Sequence, residues 1–208
     1  MRALIMAGGA GSRLNRGEKP LLSICDRPMI GYVIDAFEDF GCSVVVAASP
    51  RTPMTQNWCR ANGIDLYSSQ GMDYIRDMVE AIKALDEHLP LFVSVSDIPC
   101  LDAGSIAAVH DAYSRSGREA CSTWVPVTLV RSSRNKIAYR ETIDTIDACP
   151  VGLNILRGDG IEREQDELQI VLANPRLAIN VNTLADRDAA EAFLREYPAG
   201  PGNQTRPE

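Results

Sequence analysis

The sequence predicts an α/β fold, a three-layer α/β/α sandwich built around a mostly parallel sheet. Three observations carry this reading. Short apolar runs of strand length alternate with longer segments whose apolar residues recur at helical spacing. Each of the early apolar runs ends in small or turn-forming residues, as a buried parallel strand does before its crossover. The chain has 208 residues, 45% of them hydrophobic, enough to bury one proper core.

The elements follow in order. Leu4–Met6 reads as the first strand. Met29 to Phe40 has helical periodicity, with Ile30, Val33, Ile34 and Phe37 on one face and Gly41 as its stop. Ser43–Ala48 is a second buried strand. Pro53 to Asn62 predicts a short helix ended by Gly63, and Ile64–Tyr67 a brief third strand. Ile75, Met78, Val79, Ile82 and Leu85 form the apolar stripe of another helix. Leu91–Val95 is a fourth strand, ending at Ser96 and Asp97. Ile106, Val109, His110 and Tyr113 are the inner stripe of the next helix, where His110 reads as a packed side chain rather than a ligand. The second half is less regular. Cys121–Val130 contains Pro126 and so predicts an edge or bulged strand. Lys136–Tyr139 and Glu141–Ile146 read as short extended pieces, and Val151–Leu156 and Leu177–Val181 as strands. Ala185 to Tyr197 is a terminal helix with Ala189, Ala190 and Phe193 inward, capped by Thr183 or Asp186. Residues 1–197 form a single domain on this reading. The stretch 198–208, rich in Pro, Gly, Asn and Gln, reads as a disordered tail.

Composition narrows the function classes. The net charge of −7 argues against a general nucleic-acid surface, which needs a basic field. No run reaches transmembrane length, and Met1-Arg2 followed at once by a strand does not resemble a signal peptide, so a cytoplasmic location is expected. The six cysteines show no C-x-x-C spacing and no nearby histidine, which points to reduced core thiols rather than a zinc site.

The chemistry gathers at the ends of strands. Ala7 leads into Gly8-Gly9-Ala10-Gly11-Ser12, then Arg13, then Lys19-Pro20. A buried strand opening into a glycine loop lets backbone N–H groups approach an anion, and two cations then flank it. Nucleotide chemistry is therefore the first hypothesis, with an ordinary glycine turn as the plain alternative. The spacing fits neither a Walker A loop nor a dinucleotide fingerprint. Asp97 ends an apolar strand and is the first candidate for Mg²⁺, which prefers few protein carboxylates plus waters and phosphate oxygens. The alternative has Asp97 capping the helix that starts near Ala103. Asn182, with Asn180 on the same face, is the second metal candidate, against a role as a helix cap. Gly152 and Asn154 are candidates for contact with an acceptor, although Gly152 suits a bulge equally well. Ser49-Pro50 and Ser68 to Gly71, including Ser69, follow strands and suit base and ribose recognition, or plain turns. On this topology Gly8–Arg13, Ser49-Pro50 and Asp97 meet at one sheet edge, near the topological switch point.

The strings ALIMAGGAGSR, EKPLLSICDRPMIGYVI, SPRTP, SSQGMDYIRDM, SVSDIPCL, PVGLNIL and INVNTLADRDAAE, in that order, resemble the archaeal GTP:adenosylcobinamide-phosphate guanylyltransferases. That family lies in the wider group that includes the molybdenum-cofactor guanylyltransferases, and Asp97-Ile98-Pro99 looks more like that second branch. The resemblance spans nearly the whole chain apart from the tail and implies a Rossmann-like nucleotidyltransferase sheet. It implies GMP transfer from GTP to adenosylcobinamide phosphate with release of pyrophosphate. In this reading Arg13, Lys19 and Asp97 are catalytic. Ala7, Gly8, Gly9, Ala10, Gly11, Ser12, Arg13, Lys19, Ser49, Pro50, Ser69 and Gly71 hold the nucleotide. Asp97 and Asn182 hold Mg²⁺, and Gly152 and Asn154 meet the acceptor. The expected partners are GTP and a corrinoid phosphate, with no nucleic acid, no membrane segment and a homodimer as an option. Molybdopterin, a sugar 1-phosphate or another phosphate stays open as acceptor, and a nucleotide-binding regulator without turnover stays open as another class.

Overall fold

A computed structural model describes residues 1–9, 17–130 and 139–198. The first strand, β1 (Arg2–Met6), leads through Lys19 into a two-stranded hairpin of β2 (Ser23–Ile24) and β3 (Arg27–Pro28). Its turn residues Cys25 and Asp26 both take positive φ, the geometry that suits the twist of a tight hairpin. Then come α1 (Met29–Phe40), β4 (Ser43–Ala48), α2 (Pro53–Ala61), β5 (Asp65–Ser68), α3 (Tyr74–Ala84), β6 (Pro90–Val95) and α4 (Ala103–Ser116). The second half adds β7 (Ala120–Pro126), β8 (Glu141–Ile143), β9 (Ile146–Arg157), β10 (Glu167–Val171) and α5 (Leu184–Glu196).

One sheet runs β10-β7-β9-β6-β1-β4-β5, with β8 paired to β9. The pairs β4–β5, β1–β4, β1–β6 and β7–β10 are parallel, and β9 is antiparallel to both β6 and β7. Winding from β1 runs outward through β4 to β5 and then returns to β6 on the other side of β1. The strand order therefore reverses beside β1, and the carboxyl ends of β1, β4, β5 and β6 share one edge.

The strand faces explain the layers. Ala3, Ile5, Val44, Val46 and Phe92 pack with Ile30, Val33, Ile34 and Phe37 of α1, Cys59 of α2, and Ile106 and Val109 of α4. The alternate residues Leu4, Val45, Leu91 and Val93 pack against Met78, Ala81 and Ile82 of α3. This is the period-2 alternation of a sheet covered on both sides. The expected mixed α/β sandwich with a mostly parallel sheet is what the chain forms.

Several expectations change. Leu177–Val181 is not a strand: it forms a turn and irregular chain, with the Leu177 and Ala178 N–H groups bonded to Asn174 and Pro175. β7 pairs with β9 on one side and with β10 on the other, and the alternation of β10 is too weakly apolar to stand out in the sequence. Pro126 does not mark an edge strand. It ends β7, which lies inside the sheet, and the irregularity is a register shift between Ser122 and Trp124. Ile75 is exposed rather than inward, as are its neighbours Tyr74 and Arg76. Asp97 does not cap α4. Asp102 does, accepting from the Ser105 N–H at 2.8 Å. Thr183 and Asp186 together cap α5 in a reciprocal box. Among the described residues no helix is long and apolar enough to cross a membrane.

Candidate active site: a cleft at the strand ends

The site starts where β1 runs out. The Ala7 N–H still bonds Ala47 at 2.7 Å, after which the chain leaves the sheet at Gly8 and Gly9. The buried Ser49, just past β4, donates its hydroxyl to the Gly8 carbonyl at 2.8 Å. A Cβ on Gly8 would press on Ser49 Cβ at 3.2 Å, so packing accounts for that glycine. Gly9 differs. A Cβ there would meet nothing within 4 Å, and its φ is not positive. Among the described residues neither packing nor backbone conformation demands glycine at Gly9, and its bare backbone faces away from them, as a ligand's close approach requires.

Beyond β5, Gly71 takes φ +73 and lies close to Pro50 and Ser49. The loop here is organised by Asp77, a buried acid on α3. Its carboxylate accepts from the Ser69 hydroxyl at 3.0 Å and from the Gly71 and Met72 N–H groups at 3.1 and 3.2 Å. Charge-assisted bonds to successive backbone donors fix a loop more firmly than neutral ones.

The charged centre joins three remote segments. Lys19 pairs with Asp97, and its Nζ also donates to Asn182 Oδ1 at 2.8 Å. Asn180 Nδ2 donates to the other Asp97 oxygen at 2.8 Å, and Asn182 Nδ2 in turn donates to Asn180. Lys19 and Asp97 are only 16% and 17% exposed, so each charge depends on the other for compensation. An apolar cluster explains why these segments meet. Leu22 follows Lys19, Cys100 follows Asp97, and Val181 lies between the two asparagines. All three pack together with Met29, Ala190 and Leu194. The Val181 N–H also bonds the Asp97 carbonyl at 2.9 Å.

These pieces line one cleft of about 260 Å³, whose walls include Gly8, Gly9, Lys19, Arg51, Gly71, Asp77 and Asp97. Tyr74 borders it as well. Desolvation and the Asp97 carboxylate raise its phenol further above the neutral range. The cleft thus offers bare backbone, a lysine charge and a carboxylate at a topological switch point, with the Asn182 amide oxygen bonded to that lysine. That set can hold a polyphosphate and a hard cation.

Residues 3–200 match the MobA-like NTP transferase domain. The chain belongs to that family. It is a MobA-like nucleotidyltransferase by this match. It is similar over most of its length to the adenosylcobinamide-phosphate guanylyltransferase of Methanocaldococcus jannaschii, at 29% identity across 94% of this chain and 98% of that one. The fold is shared with a CMP:2-keto-3-deoxy-manno-octonic acid synthetase solved with CTP, at TM-score 0.69 and 17% identity over 94% and 98% of the two chains. It is shared also with a hypothetical transferase from Thermus thermophilus, at TM-score 0.67 and 15% identity over 90% and 100%.

Of the residues singled out from the sequence of this MobA-like chain, Gly8, Gly9, Lys19, Gly71 and Asp97 line the cleft. Asn182 joins them through Lys19, while Ala7, Ser49, Pro50 and Ser69 form the supporting layer. Ala10, Gly11, Ser12 and Arg13 lie outside the described residues. Gly152 and Asn154 do not line the cleft. Gly152, at φ +82, sits in the β9 bulge behind Val95. A Cβ there would come within 2.8 Å of a Val95 methyl. Asn154 is paired in the sheet between Val93 and Ser122. Sequence reasoning missed Asp77, Tyr74 and Glu18, and gave Asn180 only its face. For Asp77 a signal existed: an acid at an inward position of the α3 stripe, next to Met78.

Proposed function

We propose that this chain is a guanylyltransferase that moves GMP from GTP onto adenosylcobinamide phosphate and releases pyrophosphate. The observation that carries the transfer chemistry is the meeting of Lys19, Asp97 and Asn182 beside the bare Gly8-Gly9 backbone. The near full-length similarity to the Methanocaldococcus enzyme supports the choice of base and acceptor.

The acceptor's phosphate oxygen attacks the α-phosphorus of GTP as the α–β anhydride bond breaks. A phosphate monoester is already anionic near neutral pH and needs no dedicated base. Catalysis is then positioning and stabilisation of charge. The Gly8-Gly9 backbone and, from the sequence, Ala10 to Arg13 hold the outer phosphates. Lys19 leaves its resting pair with Asp97 to neutralise charge at the α-phosphate. Asp77 keeps the Ser69–Met72 loop in place against the nucleoside. The donor set fits magnesium through one carboxylate on Asp97 and the Asn182 amide oxygen across Lys19, whereas Asn180 turns its amide nitrogen to Asp97 and holds that carboxylate in place. Among the described residues no group of three or more His, Cys, Asp or Glu gathers, so phosphates and water would complete a shell around Asp97. When bound there, Mg²⁺ supplies charge neutralisation for the departing pyrophosphate.

The test offers GTP, ATP and CTP, each with Mg²⁺, against cobinamide phosphate and molybdopterin in separate reactions. Guanylylated cobinamide phosphate from GTP is the expected product. Product from molybdopterin alone moves the chain to the molybdenum branch, and product from neither overturns both acceptors.

A further inference from the structure

Glu18 has a role that neither the motif nor the proposed chemistry assigns. Its carboxylate accepts the Met54 N–H at 2.7 Å, the Thr55 N–H at 2.6 Å and the Thr55 hydroxyl at 2.6 Å. Those N–H groups belong to the first turn of α2, where helix donors lack partners in the helix itself. The local cap cannot serve them. Thr52, at the cap position, uses its hydroxyl on Ser49 instead, accepting from the Ser49 N–H at 3.1 Å and donating to the Ser49 carbonyl at 3.2 Å. Pro53 begins the helix and has no N–H to offer. The cap is therefore brought in from a remote segment, by the residue immediately before Lys19.

The chain leaving β1 is tied to the stretch just before α2, through the Ser49 hydroxyl on the Gly8 carbonyl. On the far side of Lys19, the buried Pro20 fixes the backbone. Lys19 thus stands between a side chain anchored on α2 and a buried proline. We infer that Glu18 is the positioning residue for Lys19: seated on the first turn of α2, it sets where Lys19 stands relative to Asp97 and the bound nucleotide. The inference rests on the nucleotide reading of the cleft. Thr55 is its receiver on α2 and is not itself one of the cleft-lining residues.

The experiment measures the dissociation constant of whichever nucleoside triphosphate the wild type binds with Mg²⁺, in Glu18→Ala, Glu18→Gln, Thr55→Val and the double variant. Hydrogen exchange at the Met54 and Thr55 amides is followed in parallel. Glu18→Ala weakens the nucleotide about tenfold, the scale of coupling between residues in contact, and speeds exchange at both amides. Glu18→Gln, which keeps an acceptor oxygen, recovers part of the affinity. Thr55→Val keeps the buried volume, weakens binding less, and adds nothing on top of Glu18→Ala. Unchanged nucleotide affinity in Glu18→Ala despite fast exchange makes Glu18 a helix cap only and overturns the inference. A double variant that binds more weakly than Glu18→Ala, by the full Thr55→Val factor, overturns the path through α2. Because binding is read without an acceptor, a wrong acceptor shows in wild-type turnover and a wrong role for Glu18 shows here.

Discussion

The two halves of the sheet are built on different principles. In the first, β5, β4, β1 and β6 run parallel, and every one of them ends at the cleft: Gly8 and Gly9 after β1, Ser49 after β4, Ser69 to Gly71 after β5, Asp97 after β6. In the second, the antiparallel β9 is wedged between β6 and β7 and carries a bulge. No strand of that half lines the cleft. It contributes the irregular Asn180–Asn182 segment and the support of Gly152 behind Val95. Parallel strands deliver their loops to one edge by geometry alone, whereas an antiparallel insert serves first as scaffold.

The sharpest way to break this contrast is Lys19→Ala, which removes the charge at the proposed α-phosphate. Turnover should fall about a hundredfold or more, the scale for a lost preorganised charge, while circular dichroism stays native. Normal turnover would remove the chemistry from the first half. Next comes Gly152→Ala in the second half. Its positive φ and the approach to Val95 make this a stability effect of about 2 kcal/mol or more, read from denaturant midpoints. Because Val95 lines the cleft, nucleotide affinity per folded molecule tests how far the bulge reaches the site, and it should stay within about threefold.

Asp77→Asn sharpens the same comparison inside the first half. Loss of the charged acceptor for Gly71 and Met72 should raise the KM for nucleotide about tenfold and leave kcat nearly unchanged. An equal fall in kcat would place Asp77 in the chemistry instead. The smallest effect is alkaline. Burial pushes the Cys59 thiol up to about 11 and the Cys100 and Cys121 thiols to about 12, well above the ordinary thiol range. A raised folded pKa means the native state keeps a proton that the unfolded chain gives up. The contribution is full below pH 9 and is lost as pH rises through 11 to 12. At pH 10 each thiol costs about 1 kcal/mol, so the urea midpoint should fall from pH 8 to pH 10, and less so in Cys121→Ala.

Legibility in the sequence follows the same division. The boundaries of α1 and β4 could be read to the residue because their apolar periods are unbroken and Gly41 stops the helix. The convergence of Gly8, Gly9, Ser49 and Asp97 followed from parallel topology. Strand β10 could not be read, because its burial is only partial along its whole length. Leu177–Val181 misled because an apolar run that fills a core cluster needs no ladder: Val181 is buried against α5 and the hairpin, not in the sheet. The Asp77 and Glu18 bonds were out of reach, since a carboxylate that accepts backbone N–H groups from a distant loop leaves no periodic trace.

On the proposed reading, the transfer of NMP depends on the Asp97 carboxylate just past the end of β6. The most direct measurement follows label from the α-phosphate of GTP into acceptor product, comparing wild type with Asp97→Asn at equal folded concentration and saturating Mg²⁺. The substitution keeps the side chain's size and its bond from Asn180 while removing the charge. Label transfer below about one-hundredth of wild type, with the fold intact, is the predicted result. Transfer at the wild-type rate in Asp97→Asn would contradict it and place the reaction elsewhere on the molecule.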